Sequence, residues 1–320
     1  MAILNRAVTE ERRKYITKKI IATPLSFPYA DLESLRKITP LENRYNAGMN
    51  VMTEEQLETI GLDRDHIPEL LLCRWQAAKY VTSTLEEKGI SFARAAKKCH
   101  VDMTCFSKYK KGDRPLAIEA PAYVPLCLSV LGESCHEVMF GEPGKIIIPG
   151  IYSLAVRIFL QMPQEKKDEL LKLSDSAKEW FQFIHPAING SMLHRDPDEV
   201  IRERLGLLAD AWGRNSENFF GEPQPRYIRC GAKAYFENNE RYKPRMAFTV
   251  FLAFETGYAL DYFISEDFTK HVPCFYEAQD SYIELRDQKA LRFIGNLFAV
   301  DHETRKPLMA YALSFAMKNG

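Results

Sequence analysis

The sequence predicts an all-α protein of more than one domain, because 320 residues exceed what one small core holds. Three observations carry the fold class. Apolar residues recur at spacings of three and four along most of the chain, alternating runs of strand type are few, and glycine or proline interrupts the apolar runs. The 15 tyrosines and 19 phenylalanines suit a protein whose helices are anchored to one another by rings.

Taken in order, Ala7 to Ile20 sets Val8, Tyr15, Ile16 and Ile20 among charged residues, the pattern of a short helix. Between Arg6 and Lys19 six basic residues meet two acidic ones, so this stretch is either a solvated terminal helix or an arm that touches DNA. TPLSFPYADLE breaks it with two prolines, and TEEQLETIG, from Thr53 to Gly61, reads as a capped helix start closed by glycine. Residues 1–65 are therefore expected to form a partly helical extension. From Pro68 the pattern strengthens: Leu71, Leu72, Trp75, Ala78, Val81, Thr82 and Leu85 lie on one helical face until Lys88-Gly89 ends it. Ser91 to Gly112 reads as two short helices and a turn, and Tyr123 to Leu131 as another helix, stopped at Gly132. GEPGKIIIPG, residues 141–150, marks the boundary between a domain at 66–142 and one at 143–320. Within it, Ile146 to Ile148 leaves a short strand and a buried connector both open.

Beyond the boundary, helices are expected at Tyr152–Leu160, Glu165–Phe183, Asp198–Trp212, Arg245–Phe263, Gln288–Val300 and Pro307–Lys318. Pro163 and Pro197 sit where a helix start tolerates proline, and Asp196, Asp198 and Glu199 suit a helix N-terminus. Trp180, Phe183 and Trp212 are expected in the core.

Composition narrows function mainly by exclusion. Lys+Arg and Asp+Glu number 43 each, so nucleic-acid binding requires local segregation of charge. No apolar run is long enough to cross a bilayer, and MAILNRAVTEERRKY lacks the apolar core of a secretory leader. Seven cysteines, an odd number without any CxxC pair, suggest reduced, mostly buried thiols of a cytoplasmic protein.

The segregated charge lies in SFARAAKKCHVDMTCFSKYKKG, Ser91 to Gly112. Ala95 and Ala96 are small where a second helix would cross closely, Cys99 follows one turn later on the same face, and Val101 fills the turn. Phe106 and Tyr109 bury one face of the second helix, and Asp102 is placed to cap it. That leaves Met103, Thr104, Ser107, Lys108 and Lys111 facing outward, with Lys110 and Arg114 close behind and Lys97 on the first helix. From Glu86 to Pro115 the formal charge is +4 in a neutral chain. A helix with such a face fits a major groove about 12 Å wide, where Thr104 and Ser107 can meet base edges and lysines meet phosphates.

Residues 70–141 resemble the phage-repressor/Cro (XRE-type) helix-turn-helix family. The likeness rests on SFARAAKKCHV, on DMTCFSKYKKGDRP with its Gly-x-Arg-Pro element, and on YVPLCLSVLGESCHEVMFG, an apolar helix ending in leucine-glycine before a short terminal helix. It implies a compact lambda-repressor-like module of five helices, a transcriptional regulator that binds double-stranded DNA as a homo-dimer, with the second helix reading bases and the loop after Gly112 touching backbone. Two features depart from the family. His100 holds the turn position usually given to glycine, and LAIEAPAYVP carries two extra prolines. On that reading, residues 143–320 are expected to form a larger helical domain for dimerisation, ligand sensing or partner binding.

Ala234 to Phe263 echoes the tail of that family: Asn239 to Pro244 parallels the KKGDRP turn, Phe248 opens an apolar helix ending at Thr256-Gly257, and Tyr258 to Phe263 follows as a short helix. Ile201 to Trp212 supplies a first helix, whereas GRNSENFFGEPQPRYIRCGAKAYF fits a motif core poorly. A degenerate second copy, paired within the chain, and an ordinary likeness between glycine-terminated helices both remain open.

No HExxH, GxSxG, GxGxxG or Walker loop is present, and the seven histidines are scattered. The expectation is a non-enzyme without cofactor or metal. The alternative to DNA binding is a helical scaffold that meets only protein.

Overall fold

The computed structural model describes residues 66–111, 116–215, 246–279 and 281–319, with Phe219 and Phe236. The expected N-terminal helices and arm lie outside the described residues. The described part is predominantly helical: α1 (His66–Glu87), α2 (Phe92–Cys99), α3 (Met103–Lys111), α4 (Ala120–Pro125), which runs on into a π-type turn at Leu126–Leu131, and α5 (Cys135–Phe140). After β1 (Ile146–Ile147) come α6 (Gly150–Gln161), α7 (Gln164–Ile184), α8 (Pro197–Trp212), α9 (Met246–Thr256) and α10 (Leu260–Ile264). β2 (Cys274–Ala278), β3 (Ser281–Glu284), α11 (Gln288–Ala299) and α12 (His302–Asn319) complete it.

Local chemistry sets most boundaries. Ser134 and Glu137 form a reciprocal capping box at the start of α5, and Gly141 closes that helix with φ 69°. Asp196 accepts the amide of Asp198 at the start of α8, where Pro197 occupies the first turn. Gly132 and Gly257 take left-handed conformations after the helices that precede α5 and α10.

The expectation of an all-helical chain needs one correction. A three-stranded sheet has the order β1-β2-β3, with Ile146 opposite Cys274 in a parallel pair and Tyr276 opposite Ile283 in an antiparallel one. The hairpin escapes the sequence pattern because its turn places Gln279 at φ 49°, a site where asparagine or glycine is the usual signal. The glycine- and proline-rich segment 141–150 is thus stitched to residues 125 or more positions downstream. Buried side chains from both sides of it join a single hydrophobic cluster.

The aromatic expectation also needs correcting. Trp180 is 61% and Phe183 79% exposed, stacked on each other along the open face of α7. Only Trp212 is partly buried, against Phe219 and Tyr258. The core of the C-terminal half is built instead around two buried arginines. Arg204 on α8 donates to the carbonyls of Tyr262, Ser265 and Phe298. Arg305 on α12 donates to those of Leu297 and Val300. These carbonyls lie at the C-terminal ends of α10 and α11, which lack partners within their own helices.

Candidate nucleic-acid interface

α2 begins at Ser91, whose hydroxyl accepts the amide of Arg94, and buries Ala95, Ala96 and Cys99. It ends at His100, in the left-handed region at φ 55°, ψ 39°, the conformation that the missing glycine would have supplied. Two residues later the Asp102 carboxylate accepts the amide of Thr104 at 2.8 Å, at the start of α3. That amide, the Thr104 hydroxyl and the charge of Lys108 hold the Asp102 carboxyl below its ordinary value.

Both buried residues expected on α3 are where the spacing puts them. Phe106 is fully buried, stacked on Phe92 at a centroid distance of 5.9 Å and edge-on to Tyr109 at 6.1 Å. The Tyr109 hydroxyl accepts the amide of Ala117 at 3.2 Å and so tethers the chain that follows. Arg74, buried in α1, grips the same stretch: its Nε donates to the Leu116 carbonyl at 2.7 Å, and its own carbonyl accepts the Leu116 amide. An arginine inside an apolar ridge was the available sequence signal for this clamp.

The outward residues divide by environment. Met103, Thr104, Lys108 and Lys111 on α3 are exposed, as is Lys97 on α2, and Ser107 is half-buried. Lys97, Lys108 and Lys111 make no ion pair among the described residues, whereas Lys110 pairs with Glu86 of α1 at 2.5 Å. Arg114 lies outside the described residues. Lys98, on the other side of α2, donates to the Ser129 carbonyl at 2.8 Å. Arg94 is also exposed, in the first turn of α2.

The turn between α2 and α3 touches a distant loop. The turn around Asn189 and Gly190 rests on the His100 ring so closely that a Cβ on Gly190 would fall 1.9 Å from Nε2. Ser129 also donates to the Met192 sulfur at 3.0 Å. No histidine, cysteine or carboxylate cluster of metal-binding size occurs among the described residues.

No family model matches the chain, and no curated protein or solved structure does either. Among the described residues no helix is long and apolar enough to cross a membrane.

Proposed function

We propose that residues 66–142 are a helix-turn-helix unit of the phage-repressor/Cro type, and that the protein binds double-stranded DNA as a transcriptional regulator with α3 in the major groove. Residues 1–65 would then extend this unit, and 143–320 would carry pairing, sensing or partner contacts. One observation carries the reading. α3 commits Phe106 and Tyr109 to the interior while holding Met103, Thr104, Lys108 and Lys111 in solvent on its opposite side. A helix about 10–12 Å across matches the groove, Lys108 and Lys111, which make no ion pair among the described residues, supply phosphate contacts, and the Thr104 hydroxyl, whose proton goes to Asp102, supplies an acceptor for base edges.

The test is DNA retention by wild type and by Lys108→Glu with Lys111→Glu, on duplexes selected from a random pool. Two lost phosphate contacts reduce the salt slope of log K by about 2 and weaken binding at least about tenfold at low salt. Helicity should be unchanged, because both side chains are exposed. Equal retention by both proteins at every salt concentration refutes the assignment. The scaffold alternative draws on the exposed Trp180, Phe183 and Ile184 of α7, and it predicts that wild type retains no duplex at all.

A further inference from the structure

The start of α5 and the start of α10 cap each other. Asp261, second residue of α10, accepts the amide of Cys135 on one carboxylate oxygen and that of His136 on the other, both at 2.9 Å. His136, second residue of α5, accepts the amide of Leu260, first residue of α10, on Nδ1 at 3.1 Å. The ring therefore carries its proton on Nε2 when it makes this bond. Both side chains are fully buried.

Each element of this contact has a counterpart at the same offset. His136 lies four residues after Gly132 and Asp261 four after Gly257, and both glycines are left-handed, with φ of 73° and 74°. The helical segments before those glycines are Ala120–Pro125 with Leu126–Leu131, and Met246–Thr256. Glu119, which precedes the former, accepts the amide of Met246 at the start of the latter at 2.9 Å. α1 packs on α5 as α8 packs on α10. The same number of residues separates the end of α1 at Glu87 from Gly132 and the end of α8 at Trp212 from Gly257.

A contact in which residue i of one element meets j of another, while j of the first meets i of the second, is the signature of a two-fold axis. We infer that α1, α4 and α5 and their counterparts α8, α9 and α10 repeat one structural arrangement, paired within the chain about an approximate two-fold axis between α5 and α10. The partner for the α5 face is the chain's own second unit, not a second molecule. Pairing is then intramolecular and independent of protein concentration. His136 and Asp261 hold equivalent positions, so exchanging them preserves one ring and one carboxylate at the axis.

Two measurements decide it. His136→Asp alone sets two carboxylates face to face, Asp261→His alone sets two rings there, and each should lower the unfolding midpoint by about 3–6 °C. The double exchange should recover at least about half of the summed loss; strictly additive losses overturn the equivalence. Sedimentation equilibrium of wild type and Asp261→Asn reads the second point and serves even if the exchange variants fail to fold. The variant should have a mass no lower than that of wild type. A wild-type assembly that falls to single chains on Asp261→Asn would place the contact between molecules and overturn the inference.

Discussion

Glu203→Gln is the most demanding test of how the C-terminal half is held together. Glu203 on α8 sits between two guanidiniums. Arg195 reaches one carboxylate oxygen at 2.5 Å and Arg305 the other, and the three side chains are 16%, 6% and 1% exposed. Arg305 also donates to the hydroxyl of Tyr152 at 3.2 Å and to the two carbonyls at the end of α11, while Arg195 donates to Val300 at 3.2 Å. Neutralising the carboxylate leaves two buried cations beside a third, Arg204. Removing one partner of such a pair costs about 3–5 kcal/mol. Glutamine keeps the shape and one acceptor oxygen, and the arginines keep their carbonyls, so the lower end, about 3 kcal/mol, applies. Urea unfolding followed by circular dichroism at pH 7 should show that loss with an unchanged m value. A loss under about 1 kcal/mol would refute the view that Glu203 neutralises buried charge.

The same residue sets a pH dependence. Burial pushes the Glu203 carboxyl up, but Arg305 and Arg195 more than offset it and leave it below its ordinary 4.5. Its contribution is therefore full above about pH 4.5 and lost as pH falls through the depressed folded value. The gap between wild type and Glu203→Gln should close in acid, and a gap that widened there would contradict this assignment.

Two further substitutions probe the candidate interface and the surface. Phe106→Ala removes the ring between Phe92 and Tyr109 and should cost about 3–5 kcal/mol in thermal or urea unfolding; a loss below about 1 kcal/mol would show that α3 is not anchored there. Phe183→Ser, at a position 79% exposed, should change stability by no more than about 0.5 kcal/mol, and a core-sized loss would show that the ring is covered in the folded protein.

Much of the candidate site was legible in sequence because it is a local object. The spacing of Ala95, Ala96, Cys99, Phe106 and Tyr109 assigns one face of each short helix, Asp102 caps α3 two residues ahead, and His100 occupies the left-handed position that the turn requires. What the spacing did not reveal is which cations are already engaged. Lys110 is taken by Glu86 and Lys98 by the Ser129 carbonyl, partners 24 and 31 residues away that only packing brings near.

The sequence by itself determined the predominantly helical class, glycine ends such as Gly132 and Gly257 and the two-faced character of α3, since periodicity and capping are settled within a turn or two of backbone. The helix expected across Arg245–Phe263 is instead broken into α9 and α10 after Gly257. Tertiary structure decided the rest. It placed a strand turn at Gln279, turned Trp180 and Phe183 to solvent, and buried Arg204 and Arg305 against the open carbonyls of two helix ends. It also brought Asp261 to the amide of Cys135 across 126 residues of chain. Such contacts depend on which surfaces meet, and an apolar or charged side chain carries no record of its distant partner in its immediate neighbours.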